Sequence, residues 1–166
     1  VGKYLYRMAD KSDVAGLVEL EALLLEEIIQ RTHIAHFQID QAEIQRNIEQ
    51  FIETQKMWFF IAVDDAGNGR QCVGFIGLTE AHALYTHGKY GIITEFYVRN
   101  AYRDKGVGNR LLQEALQFAQ MQEWKRFEVT TPPLPEFENS LRFYTKNGFS
   151  ITGGRKLKAE EKRQTR

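Results

Sequence analysis

Apolar positions along the chain change period several times, and each change marks an element. Tyr4 and Tyr6 alternate with Leu5 over residues 3–8, the two-residue period of a short strand. Asp10-Lys11-Ser12-Asp13 then opens a helix in which Val14, Leu17, Val18, Leu24, Leu25 and Ile28 recur at helical spacing. Residues 33–39 have no clean period, but Asp40 with Glu43 three residues later reads as a capping box before Ile44, Ile48, Phe51 and Ile52. The apolar runs 58–63 and 72–78 flank Asp64-Asp65-Ala66-Gly67-Asn68-Gly69, a turn rich in residues that tolerate positive φ, and predict an antiparallel hairpin. A loop holding His82, Tyr85 and His87 precedes a further apolar strand over 89–98. After a glycine-containing turn comes a helix bearing Val107, Leu111, Leu112, Ala115, Leu116 and Ala119. Residues 126–131 are the next strand, stopped by Pro132, Pro133 and Pro135 because proline brings no ladder donor. A short helical pattern over 137–147 ends at Asn147 and Gly148, and a last strand begins at Phe149.

The predicted order is strand, two helices, three strands, helix, strand, helix, strand. That pattern is an α/β (α+β) fold with one mixed, mostly antiparallel sheet flanked by helices. One domain is expected over residues 1–158, and 159–166 read as a charged, solvated tail without an apolar face.

Composition narrows the partners. Lys plus Arg number 22 and Asp plus Glu number 22, so no global field draws nucleic acid or an anionic membrane, and any electrostatic recognition is local. Cys72 is the single cysteine, which excludes an internal disulfide and a cysteine-based zinc cluster and fits a reducing compartment. Its apolar surroundings predict a buried, inert thiol. The four histidines, His33, His36, His82 and His87, lack a third ligand at a metal spacing, so no metal is expected. No basic segment leads into an apolar stretch near the N-terminus and no apolar run approaches membrane-spanning length, so a cytoplasmic location is expected.

The chemistry concentrates in Arg103-Asp104-Lys105-Gly106-Val107-Gly108, which joins the strand ending at Val98 to the helix that follows. Two glycines bring backbone close to a ligand, and the first helical amides have no intrahelical acceptor. An anion is the natural guest, with Arg103, Lys105 and Arg110 adding charge at the same mouth. A Rossmann fingerprint needs a third glycine or alanine where Leu111 stands, and a Walker loop needs a Gly-Lys-Ser/Thr that is absent.

Arg103, Gly106 and Gly108 match the [Arg/Gln]xxGx[Gly/Ala] signature of the Gcn5-related N-acetyltransferase (GNAT) superfamily, and the chain resembles that family a second time at Phe143-Tyr144-Thr145-Lys146-Asn147-Gly148-Phe149. The resemblance runs over most of the chain and implies a single acyl-CoA N-acyltransferase domain. It implies acetyl-CoA as co-substrate, its pyrophosphate on the turn Arg103, Asp104, Lys105, Gly106, Val107, Gly108, Asn109 and Arg110. Main-chain bonds from Phe96, Tyr97, Val98 and Arg99 would hold the pantetheine arm, the Val98 amide meeting the thioester oxygen where charge develops. Glu95, a carboxylate in an apolar strand just before that point, is the candidate base, acting directly or through water. Tyr144 is the candidate proton donor to the departing thiolate, against a purely packing role beside Phe143. The family often has an asparagine where this chain has Phe137, and Asn139 or Ser140 is the candidate substitute. Phe37, Trp58 and Tyr85 are candidate walls of an acceptor pocket, aromatic packing being the alternative. The function implied is transfer of an acetyl group to a primary amine of a small molecule or peptide, without nucleic acid or membrane partners and with a homodimer left open. The alternative is a noncatalytic acyl-CoA sensing module of the same fold.

Overall fold

The computed structural model describes residues 3–33, 38–67 and 69–160. The chain divides into two compact units, Val1–Pro132 and Pro133–Arg166. The first holds strand β1 (Tyr4–Met8), helices α1 (Val14–Thr32) and α2 (Gln41–Glu53), strands β2 (Met57–Asp64), β3 (Gln71–Ala83) and β4 (Gly88–Val98), helix α3 (Val107–Met121) and strand β5 (Phe127–Val129). The second holds helix α4 (Glu138–Lys146).

One five-stranded sheet runs in the order β1-β2-β3-β4-β5. Neighbours are antiparallel except β4 and β5, which are parallel. On one face, Leu17, Leu20 and Ile48 pack with Phe59, Ile61, Phe75 and Tyr97 in a single core, which carries α1 and α2. Close approach of α1 depends on Gly16, where an added Cβ would lie 3.2 Å from the Cys72 side chain. Trp58, Phe118, Trp124 and Phe127 form a chain of ring contacts at 5.1 to 6.0 Å that ties β2 and β5 to α3. Trp58 is therefore a packing residue, as an aromatic among aromatics usually is.

Several local predictions shift. The strand expected from Phe149 does not form: residues 149–160 carry no strand and Ile151 is 76% exposed. Gly153 and Gly154 raise the entropic cost of extended order there, and Phe149 is held at the helix end, its amide donating to the Tyr144 carbonyl at 3.1 Å. The expected loop around His82 shrinks to residues 84–87, because β3 and β4 pair out to Ala83 and Gly88. The reciprocal capping box forms at Asp10 and Asp13, ahead of α1, while Asp40 caps α2 one way, through the amides of Ala42 and Glu43. His36, Phe37, Asn68 and residues 161–166 lie outside the described residues. Among the described residues no helix is long and apolar enough to cross a membrane.

Candidate active site

The site starts from a defect in the sheet. β3 and β4 pair Leu78 with Ile93 but Gly77 with Glu95, leaving Thr94 as an extra residue on β4. A bulge of this kind reverses which way every later residue points. β5 pairs with β4 only through Gly91, Ile92 and Ile93, and the Gly91 amide donates to the Arg126 carbonyl at 3.0 Å. Past the bulge, the Arg99 amide donates to the Val73 carbonyl at 2.8 Å, which faces Arg99 toward β3. Alternation then turns the amide and carbonyl of Val98 to the opposite edge, where no strand pairs with β4 among the described residues. The last turn of β4 thus presents a half-used backbone.

The following turn is a second backbone device. Asp104 and Gly106 both take left-handed φ, 61° and 82°, and Gly106 caps α3 without any side-chain bond. The Arg110 amide reaches back to the Gly106 carbonyl at 3.1 Å. The amides of Gly106, Val107 and Gly108 find no acceptor among the described residues, which makes this end of α3 a nest for an anion.

The side charges expected there are arranged differently. Arg103 grips Glu27 of α1 with two bonds of 2.8 and 3.2 Å, and its Nε donates to the Val98 carbonyl at 2.9 Å. Its guanidinium also lies over the Tyr97 ring, 5.3 Å from the centroid. Arg110 pairs with Glu114 at 3.0 Å and covers Tyr6. Lys105 extends over Tyr102 with its Nζ 5.6 Å from the ring centre. Arg103 therefore acts as a clamp between α1 and β4, which the sequence could not disclose because Glu27 is 76 residues away. Arg99 is also committed, to the Cys72 carbonyl at 2.8 Å and to Glu19 at 3.1 Å, and Tyr97 is buried in the core. What Phe96 to Arg99 offer a ligand is main chain.

Glu95 projects toward the α1 face, since its cross-strand partner Gly77 pairs in turn with Phe59 of the core. Gly77 is its socket: an added Cβ would come within 2.9 Å of Glu95 Oε2 and 3.2 Å of both Phe59 Cε1 and Thr94 Oγ1. Burial pushes the Glu95 carboxyl above the usual carboxylate range, opposed by the bond it accepts from the Thr94 hydroxyl. A second carboxylate, Glu21 of α1, was passed over in the sequence. Burial first, and then the Glu95 charge, push it up to about 8. Its signal was an acidic residue at the sheet-facing spacing of Leu17 and Leu24.

Cys72 behaves as expected of an inert thiol, with burial pushing it up to about 11. His33 and Tyr85 are exposed, Tyr85 by 65%. In the second unit Asn139 is exposed on the first turn of α4, and Tyr144 is buried with its ring 5.4 Å from those of Phe143 and Phe149. Burial raises the Tyr144 phenol above its ordinary value, so it stays protonated.

The sequence profile of the Acetyltransferase (GNAT) domain matches residues 55–151, more than half of the chain and all of the elements just described from β2 to α4. The chain belongs to the GNAT acetyltransferase family. Its activity is accordingly acyl transfer. No curated protein matches the sequence. Among solved structures, this GNAT chain is similar to a predicted acetyltransferase from Clostridium acetobutylicum crystallised with acetyl-CoA, at 18% identity over 95% of this chain and 96% of that one, TM-score 0.74. It is similar also to an aminoglycoside N-acetyltransferase in complex with CoA, at 17% identity over 98% and 97% with TM-score 0.77. A ribosomal-protein-alanine N-acetyltransferase from Brucella melitensis biovar Abortus aligns at 15% identity over 95% and 100%, TM-score 0.70. At these identities the likeness is one of fold.

Proposed function

We propose that this chain transfers an acetyl group from acetyl-CoA directly to a primary amine of a small molecule or protein. The observation that carries the reading is the succession along one stretch of chain: a β4 edge that faces the Val98 amide outward, then the nest of Gly106, Val107 and Gly108 at the start of α3. The nest suits a pyrophosphate, whose charge meets free amides and the positive end of the helix dipole. The β4 edge suits the amides of a pantetheine arm, which would add to it as a short strand.

In this reading the Val98 amide donates to the thioester oxygen as negative charge develops, a contribution of about 3 kcal/mol for a well-placed donor. Glu95 takes a proton from the acceptor ammonium, directly or through water, so that the nitrogen lone pair can attack the acyl carbon. The C–N bond forms and the C–S bond breaks; the nitrogen sheds its second proton as the amide forms, and the thiolate takes one, for which the protonated Tyr144 phenol is the candidate donor, the proton lost from nitrogen restoring the phenol by way of solvent. No acyl-enzyme is required, and the Cys72 thiol, raised to about 11, is a poor nucleophile for one.

A thiol-release assay with acetyl-CoA and a panel of amines tests the reading. Turnover with at least one amine is expected, and Glu95→Gln should lower it about a hundredfold while leaving coenzyme A affinity within about threefold. Tight coenzyme A binding without turnover on any amine would count against it.

A further inference from the structure

Helix α1 turns a continuous apolar stripe toward the sheet. Leu17 and Leu20 are fully buried, and Leu23 and Leu24 pack against the same core. Glu21 stands four residues after Leu17 and three before Leu24, so helical geometry places it in that stripe rather than on the solvent face. It makes no hydrogen bond or ion pair among the described residues, although its neighbours along the helix do: Glu19 holds Arg99 and Glu27 holds Arg103. Across from α1, the register Phe59–Gly77–Glu95 directs the Glu95 side chain at the same face, where the Gly77 socket holds it. The two carboxyls thus lie on facing elements, α1 and β4, near enough for the Glu95 charge to act on Glu21.

Among the described residues, the nearby cations are committed elsewhere. Arg99 is committed to Glu19 and the Cys72 carbonyl, Arg103 to Glu27 and the Val98 carbonyl, and Asp13 to Arg7. Tyr97 and Cys72 both have raised pKa values and are neutral near pH 7. α2 contributes Ile44, Ile48 and Ile52 to the core. The charge that acts on Glu21 is that of Glu95. A half-buried acid placed against another, with no cation paired to it among the described residues, is costly to ionise unless something else supplies that cation.

We infer that Glu21 is a specificity-determining residue of the acceptor site: together with Glu95 it selects an acceptor that arrives as an alkylammonium cation. The inference rests on the acyl-transfer reading only for placing the thioester beside Glu95. With the site empty, Glu95 carries the charge and Glu21 keeps its proton. An entering ammonium lets both carboxyls ionise, and the Glu21 proton leaves to solvent. Glu95 then receives a proton from the ammonium, leaving a neutral amine beside the thioester, with Glu21 ionised to hold the charged precursor in place.

The test is calorimetric titration of the full chain, with coenzyme A present, by n-butylammonium chloride at pH 7 in two buffers of different ionisation enthalpy. Wild type should bind and release close to one proton, since a group near 8 is mostly protonated at pH 7. Glu21→Gln should bind about tenfold more weakly and release none. Glu26→Gln, an exposed change on the same helix, should match wild type. Thermal melts confirm that the variants fold, and Glu21→Asp should restore proton release. In turnover, Glu21→Gln should raise KM for n-butylamine about tenfold with kcat changed less than about threefold, and leave aniline, neutral at this pH, unaffected. Absence of butylammonium binding by wild type, or proton release that survives in Glu21→Gln, overturns the inference. Proton-linked binding without acyl transfer supports it while removing the acetyltransferase reading; acyl transfer with an unchanged KM in Glu21→Gln does the reverse.

Discussion

Replacing Arg103 by Gln separates two roles that the same motif allows. If Arg103 is the clamp seen here, its loss leaves the half-buried Glu27 carboxylate with the looser Arg31 pair at 3.6 Å and strips the half-buried Val98 carbonyl of its side-chain donor. Removing one partner of a fully buried pair costs about 3 to 5 kcal/mol. The side chains here are 28% and 23% exposed, so solvent screening reduces that to about 2 kcal/mol. For a chain of 166 residues the melting temperature should fall by about 4 to 8 °C. Glu27→Gln should cost a similar amount, and urea denaturation of the two single variants and the double variant should give a coupling of about 1 to 2 kcal/mol. Because the Arg103 charge is already neutralised, both changes should leave the Kd for coenzyme A within about threefold, measured at low and at moderate salt. A phosphate-binding Arg103 behaves oppositely. Arg103→Gln would then weaken coenzyme A about tenfold, and Glu27→Gln, which frees the guanidinium, would tighten it. Tightening by Glu27→Gln would refute the clamp.

Two further outcomes follow from the same geometry. Gly77→Ala places a methyl 2.9 Å from Glu95 Oε2 and 3.2 Å from the buried Phe59 ring; the flexible carboxylate yields first, so kcat should fall at least tenfold while stability drops by only about 1 to 2 kcal/mol, read by thiol release and urea melts. Glu21 is an acid whose folded pKa is raised, so its contribution to stability is fully present below its unfolded value of about 4.5 and is lost as pH rises through about 8. Wild type should lose up to about 1.4 kcal/mol per pH unit across that window, and Glu21→Gln should flatten the slope and be the more stable protein at pH 9, by denaturant titration at each pH; an unchanged slope would mean that Glu21 is not held protonated.

Much of this site was legible in the sequence because it is built from local backbone. The glycine turn, the strand before it and the helix after it are adjacent in the chain, and Gly106 takes a left-handed φ as its place at the turn requires. Apolar patterning, with capping and turn residues, located all five strands and all four α-helices found among the described residues, since burial of one face is what sets that pattern. The missing final strand was a misreading of the same kind of cue: Phe149 and Ile151 alternate, but alternation forms a strand only where a ladder exists to receive it.

What the tertiary structure alone decided are the pairings between distant residues. The extra residue at Thr94 is invisible until β3 is laid beside β4, yet it determines which edge the Val98 amide faces. Arg103 looked like a cation for phosphate until Glu27 neutralised it, and nothing in the local spacing marked Glu21 until α1 was packed on the sheet that carries Glu95. Local spacing is written in the chain because backbone geometry is short-range. Electrostatic partnership depends on distance through space, and only the folded sheet and its covering helix set those distances.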